Sequence, residues 1–363
     1  MHCNFRSLAH VRIPRAVRFM MALAIAPVAL AGIAALPARA ATLFGATGAH
    51  DPSRIIYCNG KYYVYATGGE MKSSSDGITW TAGPSPFAPS APAAGDRPGR
   101  GELPASLTTV VPGNRGIWAP DIIFYNNKYL LYYSACAPLT VSRCGIGLLT
   151  SPTLDPSAPD YKWTDAGVVL YTDNKVLKKS AIDPGPFVDA KGNLWMSWGS
   201  GYANGAGDND PTIIISRLDN GTGLRSTTDT TFYPVAPGRI EASYVHYRDG
   251  YYYAFWNDGG CCSGTDSTYR IFVARSVLPT GPYINKAGQQ GKGGLFMESD
   301  KDRQVYGPGH MGIESEPGLD RFSFHYYNAA GRPVLGVRTL VWNADGWPSV
   351  GQDLAPGWSS NSR

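Results

Sequence analysis

One short phrase recurs five times along this chain, and each copy carries a polar residue where an apolar strand begins. The copies are His50-Asp51-Pro52, Trp118-Ala119-Pro120-Asp121, Ile182-Asp183-Pro184, Ile240-Glu241-Ala242 and Gly307-Pro308-Gly309-His310. Each leads into a run with a turn near its middle, such as IIYCNGKYYVYATG, IIFYNNKYLLYYSA or SYVHYRDGYYYAFW. The copies are about 60 to 70 residues apart, and a strand-built repeat of that period arranges as blades around an axis. Five polar residues, four of them carboxylates, are then expected in equivalent register, facing one another across a central cavity.

Composition agrees with an all-β fold. The chain has 363 residues, 43% of them hydrophobic and only 17% charged, with 22 Tyr, 9 Trp and 43 Gly, which excludes disorder. Amphipathic helical periodicity is missing, and no linker divides the chain into two folded units. Turn signals separate the strand-like runs: Asn59-Gly60, Asp76-Gly77, Lys191-Gly192-Asn193 and Asp249-Gly250. Residues 83–116, rich in Pro, Gly and Ala, read as a long loop over one face. The formal charge is +4 with no basic stripe interleaved with aromatics, so nucleic acid is not an expected partner.

The N-terminus reads as an export signal over residues 1–40. Arg6, Arg12, Arg15 and Arg18 precede MMALAIAPVALAGIAAL, and Ala38-Arg39-Ala40 is a small-x-small cleavage site. The alternative is a membrane anchor, although the run is near the minimum span and contains Pro27. Cleavage gives a mature chain of residues 41–363, secreted or periplasmic, with no further membrane segment. Cys3 leaves with the signal. Cys136 and Cys144 flank a loop between two strand-like runs and are plausible partners in an oxidising compartment. Cys261 and Cys262 are adjacent, either a vicinal bridge or two thiols, and Cys58 reads as a small buried apolar group. The spacings match no zinc motif.

Carboxylates held at one level around an axis repel one another, and burying an unpaired charge is costly, so some of their pKa values rise. Separated protonation states are what acid–base chemistry needs. A protonated carboxyl and an ionised one on opposite sides of a sugar bond can hydrolyse it. Tyr and Trp suit a sugar substrate because rings stack on their faces, although ordinary packing between blades accounts for most of them.

At these residues the sequence resembles glycoside hydrolase family 43, and within it the α-1,5-L-arabinanases. The resemblance rests on HDPS, WAPD, AIDP, IEAS, NDGGCCSGTDSTYRIFVARS, GPGH and HYYNAAGRPVLGVRTLVWNADGWP, taken in order over roughly residues 48–348. It implies a single-domain, five-bladed β-propeller that cleaves arabinan or arabino-oligosaccharides with inversion. Asp51 matches the general base, Glu241 the general acid, and Asp183 the carboxylate that raises the acid's pKa and orients it. Asp121 and Trp118 of WAPD, Tyr202, and Ser267 of the STY segment are expected near the substrate, with Asp121 either binding it or shaping the site. His310 matches a histidine at the propeller centre that holds a cation, often calcium, largely through water. The chain departs from the family in reading IEAS for the commoner IEAP, and in a longer polar stretch, GYANGAGDNDPTIII, after MSWGS. Asp208 and Asp210 in that stretch read as a solvated loop. The departures leave endo and exo action open. The other readings are an exo-acting arabinanase, an α-L-arabinofuranosidase or a β-xylosidase on the same fold, or a glycan-binding propeller without catalysis. Nothing points to an oligomer, so a monomer is expected.

Overall fold

Strands that alternate their side chains between two neighbours need apolar residues on both faces, and this chain supplies them. A computed structural model describes residues 43–88, 101–113, 116–138, 142–173, 176–202 and 206–354. The expected export signal, Cys3 and parts of the loops 83–116 and 199–212 lie outside the described residues. In Lys61–Ala66, Tyr63 and Tyr65 point to one side while Tyr62, Val64 and Ala66 point to the other. In Lys128–Cys136, Tyr129, Leu131, Tyr133 and Ala135 face one neighbour and Leu130 and Tyr132 the next. This period of two is why the runs read as continuously apolar.

The strands form five sheets, each built on a four-stranded antiparallel meander whose order follows the sequence. Their inner strands are Ile56–Cys58, Trp118–Tyr125, Gly185–Val188, Ile240–Arg248 and Tyr306–Glu316, which begin blades I to V. Five apolar clusters fill the five contacts between successive blades, including the one between blades V and I. The described residues are therefore a five-bladed β-propeller, as the repeat implied. Type I′ geometry at the hairpins follows from positive φ at Asn59 and Gly60, and at Asp249 and Gly250. No helix among the described residues is long and apolar enough to cross a membrane.

Two segments do more than the sequence suggested. Residues 41–50 are a short lead-in to the first phrase in the sequence, yet residues 43–49 among them close the ring. Phe44–Gly45 adds a parallel strand to the outer edge of blade I. The Thr47 carbonyl then accepts the Leu335 N–H of blade V at 2.7 Å, and Gly48 bridges Val334. The loop over 83–116 is partly core: the helix Ala105–Val110 inserts Leu107, and Val111 follows it into the cluster between blades I and II. Cys136–Cys144 and Cys261–Cys262 are both disulfides, and Cys58 is buried and free.

The shared register needs a correction. A left-handed residue interrupts each of the five phrases: Asp51, Ala119, Asp183, Ala242 and His310, with φ of 43–58°. On these marks Asp51, Asp183 and His310 are equivalent, but Asp121 lies two residues later and Glu241 one residue earlier. Bulges explain the offset, since pairing slips between Trp118 and Asp121, between Glu241 and Tyr244, and twice between Tyr306 and Gly312. A bulge re-aims the side chains beside it. A left-handed non-glycine residue is strained, and such residues gather at functional sites.

One residue of blade I, Arg54, meets the other four blades, three through its side chain and one through its backbone. Arg54, of blade I, places its guanidinium against both carboxylate oxygens of Asp121 in blade II, with Nε 3.1 and 3.2 Å from them. Its Nη2 donates to the Pro186 carbonyl of blade III, and its guanidinium carbon sits 4.8 Å from the Tyr244 ring centre of blade IV. In blade V, a Cβ on Gly312 would lie 2.6 Å from the Arg54 backbone. Asp121 also accepts the Arg54 N–H at 2.9 Å.

Candidate active site

Asp51, Asp183, Glu241 and His310 converge at the left-handed ends of the inner strands. Asp51 Oδ2 accepts from His50 Nδ1 and from the Thr67 hydroxyl, each at 2.7 Å. Its Oδ1 lies 3.6 Å from His310 Nδ1 and 3.5 Å from His325 Nδ1. Glu241 accepts from the Tyr269 hydroxyl and from the Ser200 hydroxyl, each at 2.7 Å. Asp183 Oδ2 accepts the Ala242 N–H at 2.8 Å. Asp183 thus holds the backbone one residue from Glu241, at the bulge that aims the glutamate.

The three carboxyls do not titrate alike. Burial and the charges of Glu241 and Asp51 push Asp183 well above the usual carboxylate range. Burial also raises Glu241; its hydrogen bonds to Ser200 and Tyr269 oppose this, and the Asp51 charge adds to it. Asp51 goes the other way. Burial would raise it, but His50, with its charge and hydrogen bond, and the rings of His310 and His325 hold it far below the ordinary range. The site therefore sets a carboxylate held toward the ionised form beside two carboxyls pushed toward the protonated form, the separation that suits one group to act as base and another as acid.

The other expected positions fall differently. Asp121 is buried and both its oxygens belong to Arg54, a geometry of site shaping rather than of direct contact with a sugar. Ser267 is buried, and its hydroxyl accepts the Ser263 N–H at 3.0 Å inside the loop that carries the vicinal disulfide. Trp118 is half-buried, one residue before Ala119, whose N–H donates to the Thr67 hydroxyl oxygen at 2.9 Å. Tyr202 is half-buried; its N–H reaches Ser200 Oγ at 3.3 Å, its hydroxyl donates to the Gly259 carbonyl, and burial, with Glu241's charge added, raises its pKa. His310 is buried, its N–H donates to Asn257 Oδ1 at 3.0 Å, and burial lowers its ring pKa. A neutral imidazole keeps a lone pair for a metal. Calcium seeks six to eight oxygens; among the described residues the clusters close enough to share an ion are His50–Asp51–His325 and His50–Cys261–Cys262, neither with His310, and the cysteines of the second are tied in a disulfide. Among the described residues no such cluster surrounds His310, so the protein alone does not supply a calcium cage there.

Sequence reasoning missed His50, Thr67, Ser200, Tyr269 and His325. The signal for three of them was present in the quoted phrases HDPS, CCSGTDSTY and HYY. GPGH carried another: a Cβ on Gly309 would lie 2.2 Å from the Tyr269 ring, so glycine there admits the tyrosine that reaches Glu241.

Comparison with known proteins agrees with this geometry. The family model for glycosyl hydrolases family 43 matches residues 46–348. An extracellular endo-α-(1→5)-L-arabinanase of Bacillus subtilis is 32% identical over 329 residues, covering 87% of this chain and 92% of the relative. An extracellular exo-α-(1→5)-L-arabinofuranosidase of Cellvibrio japonicus is 30% identical over 324 residues, covering 83% and 86%. The structure of a Cellvibrio cellulosa α-L-arabinanase complexed with arabinohexaose superposes with a TM-score of 0.72 at 29% identity, covering 84% of this chain and 95% of that one. The repeat, the blades, the three carboxyls and the matched model agree: this chain belongs to glycosyl hydrolases family 43.

Proposed function

We propose that the protein is an exported hydrolase that cleaves α-1,5-linked L-arabinofuranose chains with inversion. The observation that carries this reading is the gathering of three carboxyls with separate partners: Asp51 on His50 and Thr67, Glu241 on Tyr269 and Ser200, and Asp183 on the Ala242 N–H beside Glu241. Asp51 is the ionised base that activates water, and Glu241 is the protonated acid that serves the departing oxygen. Asp183 raises the acid's pKa and fixes its backbone. Similar curated proteins are named as an extracellular endo-α-(1→5)-L-arabinanase and an extracellular exo-α-(1→5)-L-arabinofuranosidase, which supports the substrate and the compartment. Trp118 and Tyr202 border the sugar, while Asp121 and Ser267 hold the walls.

Between the two modes, we favour endo action, the commoner name among the similar curated proteins. Products released from linear arabinan over time test this. A ladder of oligosaccharides before free arabinose is expected. Arabinose released alone from the first minutes is the exo result and sinks the endo reading.

A calcium ion at the axis would be held by His310 and water, and would supply fixed positive charge beside the carboxylates. Dialysis against a chelator is expected to lower the melting temperature, calcium to restore it, and His310→Ala to remove that response. A melting temperature indifferent to both chelator and calcium counts against the ion.

A further inference from the structure

We propose that His50 is the positioning residue of the base, and that its hydrogen bond to Asp51 Oδ2 leaves Oδ1 as the oxygen that takes the proton from water. The inference rests on reading Asp51 as the base, and adds which atom does the work and what aims it.

The hydrogen-bond directions decide the matter. An ionised carboxylate can only accept, so His50 Nδ1 carries a hydrogen in either charge state of the ring. Oδ2 accepts that hydrogen and the Thr67 hydroxyl's, each at 2.7 Å. Oδ1 meets two ring nitrogens, at 3.6 and 3.5 Å, both beyond hydrogen-bond length. His325 Nδ1 accepts the Asp51 N–H at 3.2 Å and so has no hydrogen there to give. Oδ1 is the oxygen with lone pairs to spare.

The ring of His50 is itself held on three sides. Its face stacks on His325 with centres 4.3 Å apart. Its Nε2 lies 2.9 Å from the Tyr327 hydroxyl, whose oxygen accepts the Cys262 N–H at 2.8 Å. Cys262 Sγ, tied to Cys261, comes within 3.7 Å of the same Nε2. The vicinal disulfide turn, Tyr327 and His325 thus fix a ring whose other nitrogen aims the base. In the reaction, the water O–H bond breaks and its proton passes to Oδ1 while the water oxygen bonds the anomeric carbon. The glycosidic C–O bond breaks, and its oxygen takes the proton of Glu241.

Two amides separate this role from packing. Asparagine places its amide nitrogen where Nδ1 lies, and glutamine places its own where Nε2 lies. On linear arabinan, His50→Gln and His50→Ala are expected to lose about 10- to 100-fold in kcat, with KM within about twofold. His50→Asn should restore kcat to within about threefold of the wild type, since it keeps the bond to Asp51. Equal losses in all three variants, or a glutamine variant better than the asparagine one, would overturn the assignment. Should His50→Gln not fold, Tyr327→Phe carries the test: a fall in kcat of about threefold or more supports the relay, and an unchanged kcat overturns it. Asp51→Ala runs beside them. An active alanine variant means that Asp51 is not the base. An inactive one beside a fully active His50→Gln leaves the base standing and removes His50 from its role.

Discussion

Glu241→Gln is expected to lower kcat on linear arabinan by about 100- to 10,000-fold, the span that a positioned general acid contributes. The fold should survive, because the amide is isosteric and can still meet Tyr269 and Ser200, each of which now stands 2.7 Å from a carboxylate oxygen. The loss should depend on the leaving group. A sugar hydroxyl departs poorly without a proton, whereas an activated aryl oxygen hardly needs one, so an aryl arabinofuranoside should lose far less. Full activity of the variant on linear arabinan, with unchanged melting, would remove Glu241 from its role.

The second large effect concerns stability. Arg54→Met should cost about 3 to 5 kcal/mol, the usual consequence of leaving a buried partner charge unpaired. Asp121 is that partner; its side chain is 6% exposed and that of Arg54 12% exposed. The loss should reach blades II, III and IV at once, because the guanidinium meets all three, whereas the backbone approach to Gly312 of blade V is kept. Arg54→Met with Asp121→Leu should recover part of the loss, since removing both charges is far cheaper than removing one. Denaturant melts of the two singles and the double measure this. Additive losses would mean that the pair is not coupled.

Most of the architecture was legible in the sequence, and the reasons are local. Period-two strands such as Lys61–Ala66 and the turns at Asn59-Gly60 and Asp249-Gly250 depend on neighbours in the chain. The three carboxyls were visible because an acid before an apolar run is out of place there. What was not legible depends on long-range pairing. The five-fold register seemed uniform, but the bulges at Asp121 and Glu241 shift it, and a bulge is defined by the partner strand. Arg54 is an ordinary residue in the sequence after the first copy's Asp51-Pro52-Ser53, because its four partners in the other blades are scattered from Asp121 to Gly312. Ser200 and Thr67 are unremarkable in sequence and matter only through the carboxylates they meet. The lead-in at 43–49 closes the ring by pairing with residues some 290 positions away.

These corrections sharpen the chemistry. The bulge at Ala242 places Glu241 one residue before the mark where Asp51 and Asp183 sit, so the acid and its modulator come from different registers of adjacent blades. Asp183 meets the Glu241 segment through the Ala242 N–H. The base is separated from both by its own set of partners, His50 and Thr67 on one oxygen and two imidazoles beside the other.

The account stands most directly on the configuration of the first product. Proton NMR of linear arabinan, recorded from the first turnover before mutarotation, should show new reducing ends in the β configuration, because Asp51 delivers water opposite the departing oxygen. If the first reducing ends are α, a covalent intermediate has formed, and Asp51 is not a base for water.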